Sequence, residues 1–222
     1  MLFALDLVPV FSFVYLRGKC RYCGSKISWQ YPLVEVVAAL LSAGVYIIHP
    51  APLSFVFWFV VWMTLLFTVV YDIKHTIIPW SCSGLLALLA LLSLFVPEIR
   101  HPMSDFNTWT LLAGPLLALP LFLLSLVSWG RWMGWGDSAL ELSLGWFLGL
   151  PLGLNALMMA FWSGALVGLA LILYQKVSPQ SAKSHGTITM HSEIPFAPYL
   201  VLGAALAYFF HVDFFSTVSS LW

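Results

Sequence analysis

The sequence has 222 residues, of which 61% are hydrophobic and 8% are charged, and its formal net charge at pH 7 is zero. Soluble domains carry about 25% charged residues, so this composition excludes an ordinary soluble enzyme. Several apolar runs of about 20 residues, long enough to cross a hydrocarbon core of roughly 30 Å, follow one another with short connections. We therefore predict an all-α, polytopic membrane protein folded as a helical bundle. The balanced charge gives no indication of a nucleic-acid partner, and none is expected.

Hydropathy divides the chain into a cytoplasmic N-terminal segment, residues 1–31, and a transmembrane domain, residues 32–222, with seven predicted spans. The fifth span is short, contains Glu141 and meets the sixth across only three residues, so a tilted or partly re-entrant helix is an alternative there. The predicted spans are 32–49, 53–71, 77–97, 108–128, 138–153, 155–175 and 196–215.

The basic residues fix a predicted orientation. If the N-terminal segment is cytoplasmic, eight of the nine Lys and Arg residues lie inside and only Arg100 lies outside, as the positive-inside rule requires. The same orientation places Asp72, at the end of the second span, and Asp137, at the start of the fifth, on the cytoplasmic face of the membrane. Residues 176–193 have no apolar period, which predicts a cytoplasmic loop that covers this face.

Asp72 and Asp137 are the strongest candidates for chemistry, because an ionisable side chain at a membrane boundary costs several kcal/mol unless it meets water or a partner. Asp72 lies in VVYDIKHTIIP, and Asp137 lies in GWGD, where Gly134 and Gly136 permit a tight turn or a close approach. Two neighbouring aspartates that share a proton can activate water and protonate a peptide bond. The alternative is structural, since an aspartate at a helix end is commonly solvated or caps the helix.

Four sequence blocks occur in the order of a known family: LDLVPVFSFVYLRGKCRYCGSKISWQYPLVE, YDIKHTIIP, MGWGDSALELSLGWFLG and IPFAPYLVLGA. On these blocks the chain resembles the type IV prepilin peptidases, which are membrane aspartyl proteases of the GxGD type. The resemblance implies an inner-membrane enzyme that removes the leader from pilin or pseudopilin precursors on the cytoplasmic side, with Asp72 and Asp137 as the catalytic pair. The other active-site motif residues that it implies are Lys74, Pro79, Gly134 and Gly136.

The resemblance also raises N-methylation of the new N-terminus with S-adenosylmethionine. The segment that it links to methyl transfer contains Gly18, Lys19 and Glu35, for which a basic patch beside anionic lipid and a structural carboxylate are the alternatives. Cys20 and Cys23 form one CxxC pair, which is half of a four-ligand zinc site, so zinc stays open. The chain begins downstream of where the first pair and the first helix of the family would lie. The peptide hydrolysis itself requires no cofactor.

Two positions depart from the family pattern. Trp80 stands where an acidic residue commonly follows Pro79, and Ala139 stands where a lysine commonly lies two residues after Asp137. These departures leave a catalytically inactive membrane scaffold of pilus or secretion machinery as one alternative. A cation- or proton-coupled transporter that uses Asp72 and Asp137 is another, although both aspartates are predicted at one membrane boundary.

Overall fold

The computed structural model describes residues 10–100, 108–177 and 195–210, and its regular elements are helices, which confirms the predicted all-α class. The seven helices and one 3₁₀ turn of these residues are α1 Phe11–Tyr15, α2 Gln30–Ile48, α3 Pro52–His75, α4 Trp80–Phe95, the 3₁₀ turn Pro97–Ile99, α5 Thr108–Ser128, α6 Trp135–Val177 and α7 Ala197–Phe210.

Four of these helices, α2, α3, α5 and α6, are long and apolar enough to cross a membrane, and α4 and α7 are shorter apolar helices. The chain is therefore a multi-pass membrane protein. The predicted fifth and sixth spans lie in the single element α6, which is interrupted at Gly149, where φ is 74° and ψ is 174°.

The predicted break at 153–155 was misplaced by a few residues. Glycine adopts a positive φ without steric cost and Pro151 cannot donate a helical hydrogen bond, so the chain bends at Gly149 instead. The predicted cytoplasmic loop at 176–193 and the end of the last predicted span lie almost entirely outside the described residues.

The chain divides into two compact units, Met1–Met63 and Thr64–Trp222, and the boundary falls within α3. The division at residues 31 and 32 remains a prediction about the membrane boundary. In the first unit, α1 leads into a tight hairpin that is closed by an antiparallel bridge between Lys19 and Lys26 and by a 2.8 Å hydrogen bond from Ile27 N to Gly18 O.

A buried histidine lies between α2 and α3 in the first unit. His49 follows α2, is only 5% exposed, and its Nδ1 lies 2.8 Å from the Ser54 hydroxyl at the start of α3. Its imidazole stacks on Trp58 with the ring centroids 5.3 Å apart and an interplanar angle of 13°. Burial lowers the pKa of His49 to about 4, so the folded protein holds this ring neutral at physiological pH.

In the second unit α6 is the central helix, because it packs against α4, α5 and α7. Its contact with α5 is close: a Cβ added at Gly145 would lie 2.8 Å from the Gly114 Cα, so only small residues permit this crossing. The core between these helices is made of buried aliphatic side chains, namely Leu86, Leu94, Leu117, Leu121, Leu140, Leu144 and Leu200.

A hydrogen bond between α5 and α6 pairs a backbone carbonyl of α5 that has no donor within its own helix. Pro115 has no N–H, so the carbonyl of Leu111, four residues earlier, has no helical donor. The Trp146 indole Nε1 on α6 donates to this Leu111 oxygen at 2.8 Å. Because lipid cannot satisfy a free backbone carbonyl, this side chain fixes the register of the two helices.

Replacing Trp146 by Phe keeps most of the apolar surface but removes the indole donor. We expect the free energy of unfolding to fall by about 1–3 kcal/mol, because the Leu111 carbonyl loses the indole donor. Thermal or denaturant unfolding in detergent measures the change. In a Pro115→Ala background the backbone donor returns, so Trp146→Phe should cost clearly less there; equal costs in both backgrounds would contradict the interpretation.

The buried neutral state of His49 predicts a stability that depends on pH. Below pH 6.5 the unfolded chain binds a proton at this ring, whereas the folded protein does so only near pH 4. The free energy of unfolding should therefore fall as the pH falls through this window, and no further below it. Unfolding midpoints of the wild type and of His49→Gln, measured at several pH values, should diverge at neutral pH and converge in acid. Parallel pH curves would refute the assignment.

Candidate active site

Asp72 lies in the last turn of α3 and is buried, with 4% of its surface exposed. The helix ends at His75, and Thr76, with a φ of 52°, turns the chain away. One carboxylate oxygen of Asp72, Oδ2, accepts a 3.2 Å hydrogen bond from the backbone N–H of Ala197, the first residue of α7. The site therefore contains a helix N-terminus, with its positive dipole end, opposite a carboxylate.

Asp137 lies in the first turn of α6 and is 8% exposed. Its Oδ2 accepts a 3.1 Å hydrogen bond from the Gly134 N–H, and its own N–H donates to the Gly134 carbonyl at 3.2 Å. A carboxylate that reaches back three residues in this way caps the start of its own helix. The structural alternative in the sequence was a solvated end or an N-cap; the structure places Asp137 at the third residue of α6, where its carboxylate holds the Gly134 N–H instead.

The same structure also brings the two aspartates together. The Asp72 carboxylate lies near enough to that of Asp137 to interact with it electrostatically. The approach depends on Gly136, because a Cβ there would lie 2.7 Å from the Cβ of Ile78. Ile78 is buried six residues after Asp72, so the missing side chain at Gly136 allows the segment after α3 to pack on the start of α6.

The other motif residues lie outside the pair of carboxylates: Pro79 at a helix start, Gly134 in a turn and Lys74 at the surface. Pro79 caps the N-terminus of α4, where its carbonyl accepts hydrogen bonds from Cys82 N at 3.0 Å and Ser83 N at 3.2 Å. Gly134 holds the Asp137 carboxylate through its backbone. Lys74 is exposed, in contrast to Asp72 two residues before it. The motif thus supplies two acids and the turns that hold them, with the lysine at the surface.

Two serines that the sequence analysis missed hold the turn between α5 and α6. The hydroxyl of buried Ser125 lies 2.9 Å from the Leu121 carbonyl oxygen and 3.3 Å from that of Gly134, so its one proton is shared between them. The Ser128 hydroxyl accepts from Trp132 N at 3.2 Å. They position the GxGD turn through its backbone. Hydroxyl residues near the end of an apolar span could have indicated this, since such side chains satisfy backbone groups where a membrane helix ends.

The two residues that depart from the family pattern lie beside the same cavity. Trp80 and Ala139 both line a surface cavity of about 360 Å³ beside the start of α6, and Ser138, the neighbour of Asp137, lines it as well. The other lining residues are Pro115, Ala118, Leu119, Phe122, Trp135 and Leu142. The lining contains no charged side chain, so in this chain the surroundings of Asp137 offer an apolar surface on this side.

Glu141, one turn beyond Asp137 on α6, is 1% exposed, and its Oε1 has no hydrogen-bond partner in the described part of the chain. The sequence singled this residue out as an unusual acid within a predicted span. A buried carboxyl oxygen without a donor is a cost to stability.

The candidates in the first unit lie in two different surroundings. Gly18 and Lys19 line a surface cavity of about 530 Å³, whereas the Glu35 carboxylate accepts a 2.7 Å hydrogen bond from Val10 N and is not on that lining.

The cysteine pair does not complete a metal site in the described residues. The Cys23 thiol lies 3.0 Å from the Ser25 hydroxyl, and hydrogen bonding from Ser25 lowers the pKa of Cys23 to about 7. Among residues 10–100, 108–177 and 195–210 no group of three or more His, Cys, Asp or Glu side chains could hold a metal ion. Two thiols alone do not fit a structural zinc site, which takes four ligands.

The helices and the site define a class: a multi-pass membrane protein with two buried aspartates contributed by different helices. Residues 1–49 match the bacterial peptidase A24 N-terminal domain. The chain is 30% identical over 210 residues to the prepilin leader peptidase/N-methyltransferase of Bacillus subtilis (strain 168), which covers 92% of this chain and 76% of that protein. The chain therefore belongs to the prepilin leader peptidase/N-methyltransferase family.

Other relatives agree with this membership. The proteins of the same name from Aeromonas hydrophila and Burkholderia pseudomallei (strain K96243) are 30% and 28% identical over 92% and 96% of this chain. The chain spans 66% and 65% of their respective lengths. No solved structure matches the chain.

The close approach at Gly136 predicts a sharp steric effect. Gly136→Ala should lower the free energy of unfolding by about 1–3 kcal/mol and disturb the site, because the new Cβ meets the Cβ of Ile78, which is fixed to the backbone. Unfolding midpoints measure this.

Gly84→Ala is the matched control, because a Cβ at Gly84 on α4 meets nothing within 4 Å. It should be neutral or slightly stabilising. Ile78→Gly, which removes the opposing Cβ, should reduce the cost of Gly136→Ala. If Gly136→Ala behaves like Gly84→Ala, the close approach does not exist.

Proposed function

We propose that the protein is a membrane aspartic endopeptidase that removes the leader peptide from prepilin-like precursors, either pilins or pseudopilins, with Asp72 and Asp137 as the catalytic pair. The observation that carries the proposal is the burial of these two carboxylates at the ends of different helices, which the contact between Gly136 and Ile78 packs together. Family membership supports the substrate class, because the relatives are named prepilin leader peptidases.

The hydrogen bonds suggest how the pair works. Each aspartate uses Oδ2 to accept a backbone N–H, from Ala197 for Asp72 and from Gly134 for Asp137, so Oδ1 of each is left for water and for a shared proton. One carboxylate removes a proton from water as the water oxygen attacks the scissile carbonyl carbon, and the other carboxyl group protonates the carbonyl oxygen. When the C–N bond breaks, the proton held by the base passes to the leaving amine, and one hydroxyl of the diol returns its proton to the other aspartate, which restores the pair. The reaction needs no metal or nucleotide.

The surroundings of the pair suit a substrate with an apolar helix after its cleavage site. The cavity lined by Trp80 and Ala139 begins beside Asp137 and has no charged lining, so it can receive apolar side chains that enter from the bilayer. We place the protein in the bacterial inner membrane with both aspartates on the cytoplasmic side, which the distribution of Lys and Arg supports. Its partners are then the precursor and lipid, and no nucleic acid takes part.

The cavity beside Gly18 and Lys19 bears on the second activity in the relatives' name. S-adenosylmethionine carries a positive sulfur beside its reactive methyl group and a net positive charge. The cavity that contains Gly18 and Lys19 is lined by three cationic side chains and no carboxylate, so its lining does not fit this cofactor. We derive no methyl-transfer step from these residues.

Co-expression with a prepilin and a gel assay for leader loss tests the peptidase. Asp72→Asn and Asp137→Asn should each lower the rate of cleavage by about 100-fold or more, because the amide cannot exchange the proton. Asparagine keeps an acceptor for Ala197 N or Gly134 N, so both variants should fold. Glu98→Gln, which makes the same change at an exposed acid, should cleave normally.

Cleavage that persists in both aspartate variants would end the proposal. If the wild type does not cleave but pilus or secretion assembly still requires the folded protein, a scaffold is the function. If the aspartate variants instead abolish a cation or proton flux in proteoliposomes, a transporter is the function.

A further inference from the structure

A second polar site lies in the first unit, away from the aspartates in sequence and in chemistry. It is a surface cavity of about 530 Å³, here called the cationic cavity, formed between α1, the hairpin that follows it and the start of α2. Its eight lining residues are Phe13, Val14, Arg17, Gly18, Lys19, Lys26, Ile27 and Trp29. Three of them are cationic and none is acidic, so the lining favours an anion.

The backbone forces two of these cations together. Lys19 and Lys26 are paired in an antiparallel bridge, and residues opposite each other in such a bridge extend their side chains to the same face, with Cβ atoms about 5 Å apart. Like charges in this position repel and destabilise the pair. The hydrogen bond of 2.8 Å from Ile27 N to Gly18 O holds the hairpin closed beside them, so the charges cannot simply move apart with the backbone.

An aromatic pair forms another wall of the cavity. Phe13 is 8% exposed, and its ring meets that of Trp29 edge to face with the centroids 4.8 Å apart. Gly18 allows this packing, because its φ of 70° suits glycine and a Cβ there would lie 3.1 Å from the Phe13 ring. The cavity thus has three cationic side chains and an aromatic wall formed by Phe13 and Trp29. This combination suits a ligand with an anionic head and an apolar body.

The position of the cavity identifies the source of that anion. Trp29 is the residue directly before α2, a helix apolar enough to span a membrane, and 78% of Trp29 is exposed. Tyr15 and Tyr31, on either side of the hairpin, are also largely exposed. Tryptophan and tyrosine are enriched where a membrane meets water, and basic residues next to a span attract anionic lipid headgroups.

We propose that the cationic cavity binds the phosphate of an anionic phospholipid headgroup, with Arg17, Lys19 and Lys26 around the phosphate and Trp29 against the glycerol and upper acyl region. The bound phosphate lies between Lys19 and Lys26 and removes their repulsion, so the lipid stabilises the hairpin that follows α1. This inference does not depend on the aspartates or on the proposed peptidase.

Native mass spectrometry of the full chain with phosphatidylglycerol as the probe tests the site. The Lys19→Gln/Lys26→Gln variant should bind this lipid about 10- to 30-fold more weakly, because each basic residue near the surface contributes about 1 kcal/mol and 1.4 kcal/mol is tenfold. Lys19→Arg/Lys26→Arg should retain the affinity. The control Arg21→Gln/Arg131→Gln removes the same charge from residues that do not line the cavity, and it should change affinity less than about threefold.

Stability supplies a second test whose sign changes with the lipid. In nanodiscs of phosphatidylcholine alone, Lys19→Gln/Lys26→Gln should unfold at the same or a higher temperature than the wild type, because repulsion is removed. With phosphatidylglycerol added, the wild type should gain stability and this variant should gain much less.

Several outcomes would overturn the proposal. Equal loss of affinity in the control would mean a diffuse surface charge rather than a site, and equal binding of phosphatidylcholine would mean that the anion is not recognised. Displacement of the lipid by inorganic phosphate at low millimolar concentration, with the same dependence on the lysines, would identify a soluble phosphate as the ligand. Stabilisation by S-adenosylmethionine through the same lysines would assign the cavity to that cofactor.

Discussion

The contact between Gly136 and Ile78 is the constraint on which the candidate site depends. With no side chain at Gly136, the segment that leaves α3 packs directly on the first turn of α6, and the Asp72 carboxylate comes within electrostatic range of Asp137. The same contact buries Ile78 just before Pro79 starts α4. One missing Cβ thereby sets the relative positions of three helix ends, and both acids lie at those ends.

Backbone groups inside apolar surroundings must find hydrogen-bond partners, and this requirement fixes a further contact between helices. The Trp146 indole donates a hydrogen bond to the Leu111 carbonyl, which Pro115 leaves without a helical donor. At the site the same requirement has a chemical consequence, because the donors that lie at Asp72 and Asp137 are backbone N–H groups of a helix end and a turn. These donors occupy one oxygen of each acid and leave the other oxygen without a backbone donor among these contacts.

Trp80 and Ala139, the two residues that depart from the family pattern, line the same cavity in the structure. In the sequence they are 59 positions apart and look like independent losses of an acid and a base. In the structure both line one cavity beside Ser138, so an acid and a base at these positions would have faced the same space. With apolar residues at both positions, the lining of this cavity carries no unpaired charge.

The sequence by itself determined the membrane character, the helical class and the identity of the two candidate acids, because hydropathy, span length and rare charges are local properties that each segment carries alone. It also gave most helix positions within a few residues. The exception was the break in α6, which fell at Gly149, since several glycines and a proline in this stretch offer competing places to bend and only packing chooses among them.

Tertiary structure alone decided what each acid and base meets. The donor to Asp72 is Ala197, 125 residues away, and no local pattern predicts such a partner. The bridge that pairs Lys19 with Lys26, and the cavity shared by Trp80 and Ala139, likewise depend on which faces the chain brings together. Residue type and hydropathy are properties of a segment, whereas hydrogen-bond partners, burial and charge coupling are properties of the pairs that folding creates.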